Sequence, residues 1–184
     1  MKKTKLGPQT LLFPMPATLV GATVGGKPNF MTAAWCAIAA LKPASIAVAI
    51  NKRRYTLEGI REHGTFSINV PSSDMAKSVD FCGIYSGRDK DKTQVFTVFN
   101  GELETAPLIE ECPLNLECKV LHLLELGSHI LVVGEIKETF IAEACLTDGK
   151  ADAQKIDPLI FTTGTSMYCR LGEQVAPAFR VGKE

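Results

Sequence analysis

Little in this chain is in excess, and each shortage excludes something. Its 20 basic and 20 acidic side chains cancel, so no global field draws a polyanion, and a nucleic-acid partner is disfavoured. No apolar run reaches the roughly 18 residues of a membrane span, and three prolines interrupt the only early one, PQTLLFPMPATLV. That interruption also argues against the apolar centre of a secretory leader. The expectation is a cytoplasmic protein that meets neither membrane nor nucleic acid. The six cysteines (Cys36, Cys82, Cys112, Cys118, Cys145, Cys169) form no C-x-x-C pair, and the three histidines lie far apart in sequence. Zinc and iron–sulfur spacings are missing, so reduced and mostly buried thiols are expected, with no metal. There is no G-x-S-x-G elbow, no G-x-G-x-x-G after a strand and no G-x-x-x-x-G-K-[ST], which leaves hydrolase, dinucleotide-fold and P-loop chemistry without support. No side chain is singled out as a catalytic acid, base or nucleophile.

What is present is an ordinary globular composition, 46% hydrophobic and 22% charged over 184 residues, enough for one domain spanning 1–184. ATLVGATV (17–24) and ASIAVAIN (44–51) predict strands, and GGK (25–27) a tight turn. PNFMTAAWCAIAAL (28–41) is ambiguous, because its alanines favour helix while Phe, Thr, Trp and Ile tolerate strand. RYTLEGIREHG (54–64) predicts a helix closed by Gly64, TFSINVP (65–71) a strand stopped by Pro71, and 72–87 a second helix. LNLECKVLHLLEL (114–126) and HILVVGEIKETFIAE (129–143) predict two long antiparallel strands, of the length that coils into barrels. PLIFTTG (158–164) adds a short late one. The fold class is mainly β: a Greek-key or meander barrel carrying two or three small helices.

Four stretches carry candidate chemistry. PNFMT (28–32) brings an amide and a hydroxyl toward Trp35, the only tryptophan. NKRRYT (51–56) ends a strand and starts a helix, where free N–H groups meet Arg53, Arg54 and the Thr56 hydroxyl. That is either a phosphate site or a capped helix with solvated arginines. SGRDKDKT (86–93) is either a solvated turn or a loop in which Ser86, Arg88 and Lys92 converge on a phosphate, with Asp89 and Asp91 holding the cations. His129 follows Gly127-Ser128 at a hairpin tip, where a solvated histidine is the ordinary expectation.

In order, P-N-x-M-T-x-x-W, N-K-R-R-Y-T, F-S-I-N-V-P, C-G-x-x-S-G-R-D-x-D-K, E-C-x-V and L-G-S-H-x-L-x-V-G-E resemble the flavin-reductase-like FMN-binding proteins, flavoredoxins above all. The resemblance covers about residues 10 to 172. It implies a six-stranded antiparallel Greek-key split β-barrel with a few short helices, which binds FMN non-covalently in a homodimer. By position, Thr56 and Lys92 would bind the FMN phosphate with Ser86 and Arg88 helping. Asn29, Met31, Thr32 and Trp35 would line the isoalloxazine ring, Asn51, Lys52 and Arg53 would add backbone or side-chain contacts, and His129 would reach the flavin edge. The implied function is an oxidoreductase that passes electrons from a reduced donor such as NAD(P)H through FMN to an acceptor. The alternative is a flavoredoxin-type electron-transfer protein served by redox-protein partners, with no nicotinamide activity.

Overall fold

A computed structural model describes residues 1–183. Seven strands make one antiparallel sheet: β1 (Thr18–Val24), β2 (Lys27–Ala33), β3 (Cys36–Leu41), β4 (Ala44–Asn51), β5 (Thr65–Val70), β6 (Leu114–Leu126) and β7 (His129–Ile141). Their spatial order is β2-β1-β5-β6-β7-β4-β3. The two end strands are consecutive in sequence, joined only through Ala34 and Trp35, so the sheet curls back on itself. No ladder joins its ends; the bond from Ala49 N to Trp35 O at 2.9 Å only extends the β3–β4 pairing by one position. The barrel is therefore split between those ends.

The sheet has one strand more than the six expected. The extra strand comes from the ambiguous 28–41 segment, where a bend at Ala34 divides it into β2 and β3. Alanine's helical preference is overridden because each half finds a neighbouring ladder, β2 on β1 and β3 on β4. The late strand shortens to Ile160–Thr162 and lies outside the sheet, pairing with Met15–Pro16 and Met167–Cys169.

Alternation along β1 builds two cores. Val20 and Ala22 face the barrel interior with Met31, Ile46, Val48, Phe66, Ile130 and Val132. Leu19 faces the other way, into a cluster with Phe30, Val79, Cys82, Phe96 and Ile109. The helix α1 (Thr56–His63) sends Leu57 and Ile60 into the first core and stops at Gly64, as the sequence predicts. Gly59 lets α1 lie directly on β1, since a Cβ there would stand 2.1 Å from the Thr23 carbonyl oxygen. The second helix, α2 (Ala76–Ile84), covers the outer cluster through Val79 and Cys82. These two contacts fix where α1 begins and where α2 ends, which is what builds the site. Among the described residues, no helix is long and apolar enough to cross a membrane.

Candidate functional site

The start of α1, the end of α2 and the edge strand β2 enclose a cavity of about 400 Å³. Eight of the twelve residues singled out from sequence line it: Asn29, Met31, Asn51, Arg53, Thr56, Ser86, Lys92 and His129. The cavity wall contains Arg53, Arg54 and Lys92 and no carboxylate, although the whole chain is formally neutral. The local field is that of an anion site.

Thr56 is the first helical residue and does not cap α1; Tyr55 occupies the cap position without a side-chain bond. The buried Thr56 hydroxyl instead accepts from Asn29 Nδ2 at 2.7 Å. Leu57 N and Glu58 N already donate to Arg54 O at 3.2 Å and Tyr55 O at 3.0 Å, so the α1 start offers the Thr56 N–H and a partial positive charge. Gly87 makes the corner possible. A Cβ there would stand 1.9 Å from Asn29 Oδ1 and 2.9 Å from the Tyr55 ring.

Lys92 is 3% exposed, and its ammonium donates to Phe30 O at 2.8 Å and Cys82 O at 2.9 Å. Burial, chiefly, lowers its pKa, with the Arg54 charge adding to the effect and Cys82 opposing it. One of its three N–H donors has no partner among these bonds. Arg54 does a similar job at the α2 terminus, donating to Gly83 O at 2.8 Å. Both cations thus fasten the last turn of α2, where carbonyls lack helical partners, while lining the cavity.

The cavity continues in two directions. Past Asn29, Tyr55, Gly87 and Lys92 it meets a smaller pocket of about 240 Å³ that includes Arg88. Past Met31, Asn51, Arg54 and His129 it meets another of about 140 Å³ that includes Thr32 and Trp35. There the Trp35 and His129 rings lie 4.8 Å apart at 35°. His129 stays at the hairpin tip but is half-buried there. It begins β7 opposite Asn51 on β4, and its Nδ1 lies 2.8 Å from the Ser128 hydroxyl.

Several expected contacts are committed elsewhere. Arg88 pairs with Glu58 and sits over the Tyr55 ring at 4.7 Å. The Thr32 hydroxyl donates to Val79 O. The Lys52 side chain pairs with Glu125 and lines none of these pockets. Asp91 does not hold the loop's cations. It accepts from Thr93 N at 2.9 Å and Thr93 Oγ1 at 2.7 Å, and these bonds lower its pKa. Arg54, named at the helix start but not among the FMN contacts, lines the cavity too, and sequence reading left out Tyr55, Ile84, Tyr85 and Gly87. Tyr55 and Gly87 stand inside the quoted motifs, so adjacency could have found them. Ile84 and Tyr85, exposed at the end of α2, carried no comparable signal.

Residues 10–170 match the flavin reductase like domain family. The chain superposes on a flavoredoxin from Methanosarcina acetivorans with a TM-score of 0.96 and 43% identity, covering 100% of this chain and 98% of that one. For a flavoredoxin of Desulfovibrio vulgaris (Miyazaki F) the values are 0.93 and 40%, over 99% and 100%. An FMN-binding protein of Thermus thermophilus, solved with bound 1-cyclohex-2-enone, gives 0.82 and 25%, over 96% and 99%.

Proposed function

The chain belongs to the flavin reductase-like family, and from that premise we propose that it is an FMN-dependent oxidoreductase, carrying electrons from a reduced donor through the flavin to an acceptor. The observation that carries this is the polarity of the cavity. Arg53, Thr56, Ser86 and Lys92, without a carboxylate, gather about the α1 start, while Met31, Trp35 and His129 lie along its continuation. A ribityl phosphate suits the first group and a flat, largely apolar ring the second, so these residues fit a mononucleotide of flavin.

When bound, the flavin supplies the hydride and electron chemistry. The chain's own residues supply the rest. The α1 start, Thr56, Ser86 and the spare Lys92 donor hold the phosphate. Asn29 orients the Thr56 hydroxyl through the bond at 2.7 Å. Met31 and the Trp35–His129 pair flank the ring, and Arg54 brings positive charge to both compartments. A donor such as NAD(P)H needs no separate domain if it stacks directly on the ring.

The outer face of the barrel supports a homodimer. Leu124 and Leu126 are 49% and 54% exposed and stand beside Leu131 and His129 across the β6–β7 ladder. Apolar rows of this kind mark interfaces, and this one ends at the Trp35–His129 corner of the site.

The test is the visible spectrum of the purified protein, followed by anaerobic titration with NADH and NADPH. Flavin absorption that bleaches stoichiometrically with either nucleotide is expected. A protein that neither carries FMN nor takes it up would overturn the proposal. Whole-length likeness to two flavoredoxins favours a second reading, an electron relay between protein partners. Bleaching by dithionite but by neither nucleotide would select it.

A further inference from the structure

The segment after Gly172 is anchored only at its root. Gln154 Nε2 donates to Gly172 O at 3.4 Å. Beyond it, the hydrogen bonds of the described residues are internal to the segment: Val181 N to Pro177 O at 3.3 Å and Lys183 N to Arg180 O at 3.0 Å. Yet this polar-anchored stretch carries apolar side chains in water. Val175 is 98% exposed, Phe179 93% and Val181 58%. Burying such side chains is favourable, so the segment forgoes a large part of what its sequence offers.

The body of the chain has the matching deficit. A groove of about 690 Å³ runs between the entry segment 9–16 and the outer face of the barrel, lined by Leu11, Leu12, Trp35, Ala37, Ala49 and Leu131 among others, and no charged residue lines it. The groove borders the late hairpin that precedes the segment in the chain. Met15–Pro16 pairs with Ile160–Phe161, and a Cβ on Gly164 would stand 3.4 Å from Leu11. Even so, no described residue beyond 172 lines the groove. Folded as a single chain, the protein leaves its apolar arm and its apolar groove apart.

We infer that residues 173–183 are an exchange arm, and that each copy lays Val175 and Phe179 into the groove of a second copy. The inference rests on the homodimer reading above and says what joins that dimer. Three features point to another copy of this chain as the occupant. The groove adjoins Leu131, whose ladder partner Leu124 belongs to the exposed row proposed as the interface. Extended, the eleven residues 173–183 reach up to about 35 Å, enough to cross between copies. An aromatic side chain adds roughly 150–250 Å² of buried area, a useful share of the ~1,000 Å² that a specific interface needs. Because Trp35 lines both the groove and the flavin-side pocket, the arm of one copy would also wall the site of the other.

The experiment uses the full chain. In sedimentation equilibrium the double variant Val175→Ser/Phe179→Ser should raise the dimer dissociation constant at least tenfold over wild type. A dimer constant that does not change overturns the arm and leaves the homodimer standing, whereas a monomeric wild type overturns the homodimer and the arm with it. In a second arm of the test, Phe179 is replaced by photoreactive benzoyl-phenylalanine, and copies labelled with light and heavy nitrogen are mixed before illumination. Cross-links joining position 179 of one isotope to residues 9–16 or 34–49 of the other are expected. Links confined to one copy, or to other surfaces or other proteins, overturn the exchange.

Discussion

Replacing Lys92 by Met separates two jobs that the same ammonium is proposed to do. The first is structural. Its bonds to Phe30 O at 2.8 Å and Cys82 O at 2.9 Å tie β2 to the end of α2. Methionine keeps most of the volume but leaves two buried carbonyls without donors, each costing about 1–3 kcal/mol. A loss near 3 kcal/mol of stability is expected, which for a domain of this size lowers Tm by about 6–12 °C. The second job is the spare donor toward the cavity. One hydrogen bond between charged groups is worth about 1.5–3 kcal/mol, so FMN should bind roughly 10- to 150-fold more weakly.

Stability and affinity can be confused, because a loosened α2 would deform the whole pocket. Riboflavin, which shares the ring and ribityl chain but lacks the phosphate, resolves this. Both ligands are titrated into wild type and Lys92→Met by fluorescence, well below the variant's Tm. If the phosphate meets Lys92, FMN loses its 10- to 150-fold and riboflavin changes by much less. Equal losses for the two ligands would mean that Lys92 only holds the walls. No loss for FMN would refute its place at the phosphate altogether.

How legible all this was in the sequence depends on whether the decisive interaction was local. The strand 44–51 was plain because Ile46, Val48 and Ile50 alternate with small residues and turn inward together. Gly64 announced the end of α1 through the left-handed conformation it supplies (φ 67°). The cationic end of the cavity was legible as well, since Arg53 and Thr56 lie within one turn of a helix start. What each cation does with its donors was not. Arg88 turns to Glu58 and Tyr55, and Lys92 to carbonyls on β2 and α2, because α2 packs across β2 through Val79 and Phe30. That packing joins residues about fifty positions apart and has no local signature. The same holds for the seventh strand, where an alanine-rich segment took its conformation from the ladders beside it and not from its own preference.

Three further outcomes are expected. In the native protein at pH 8 one thiol per chain should react quickly with a disulfide reagent, and six after denaturation. Cys169 is exposed, whereas burial pushes Cys82 up to about 11 and Cys36 up to about 12 and Cys112 and Cys118 higher still, starving them of thiolate; two or more fast thiols would contradict the described burial. Emission from Trp35 should be strongly quenched with FMN bound and recover on its removal, and an unchanged yield would place the ring away from the Trp35–His129 pair. The last outcome concerns Gly87→Ala, whose new Cβ would be built 1.9 Å from Asn29 Oδ1. The loop or Asn29 must give way, at a cost of about 1–3 kcal/mol for overpacking. Because Asn29 orients the Thr56 hydroxyl, the expected effect is weaker FMN binding, by about 5- to 150-fold. The decisive comparison is a double-mutant cycle with Asn29→Ala. If the clash with Asn29 is the cause, Gly87→Ala should cost much less once that side chain is gone, so the two losses fall short of their sum. Losses that add fully would mean that Gly87 serves the loop by itself, and that the Asn29–Thr56 pair does not carry the strain to the phosphate.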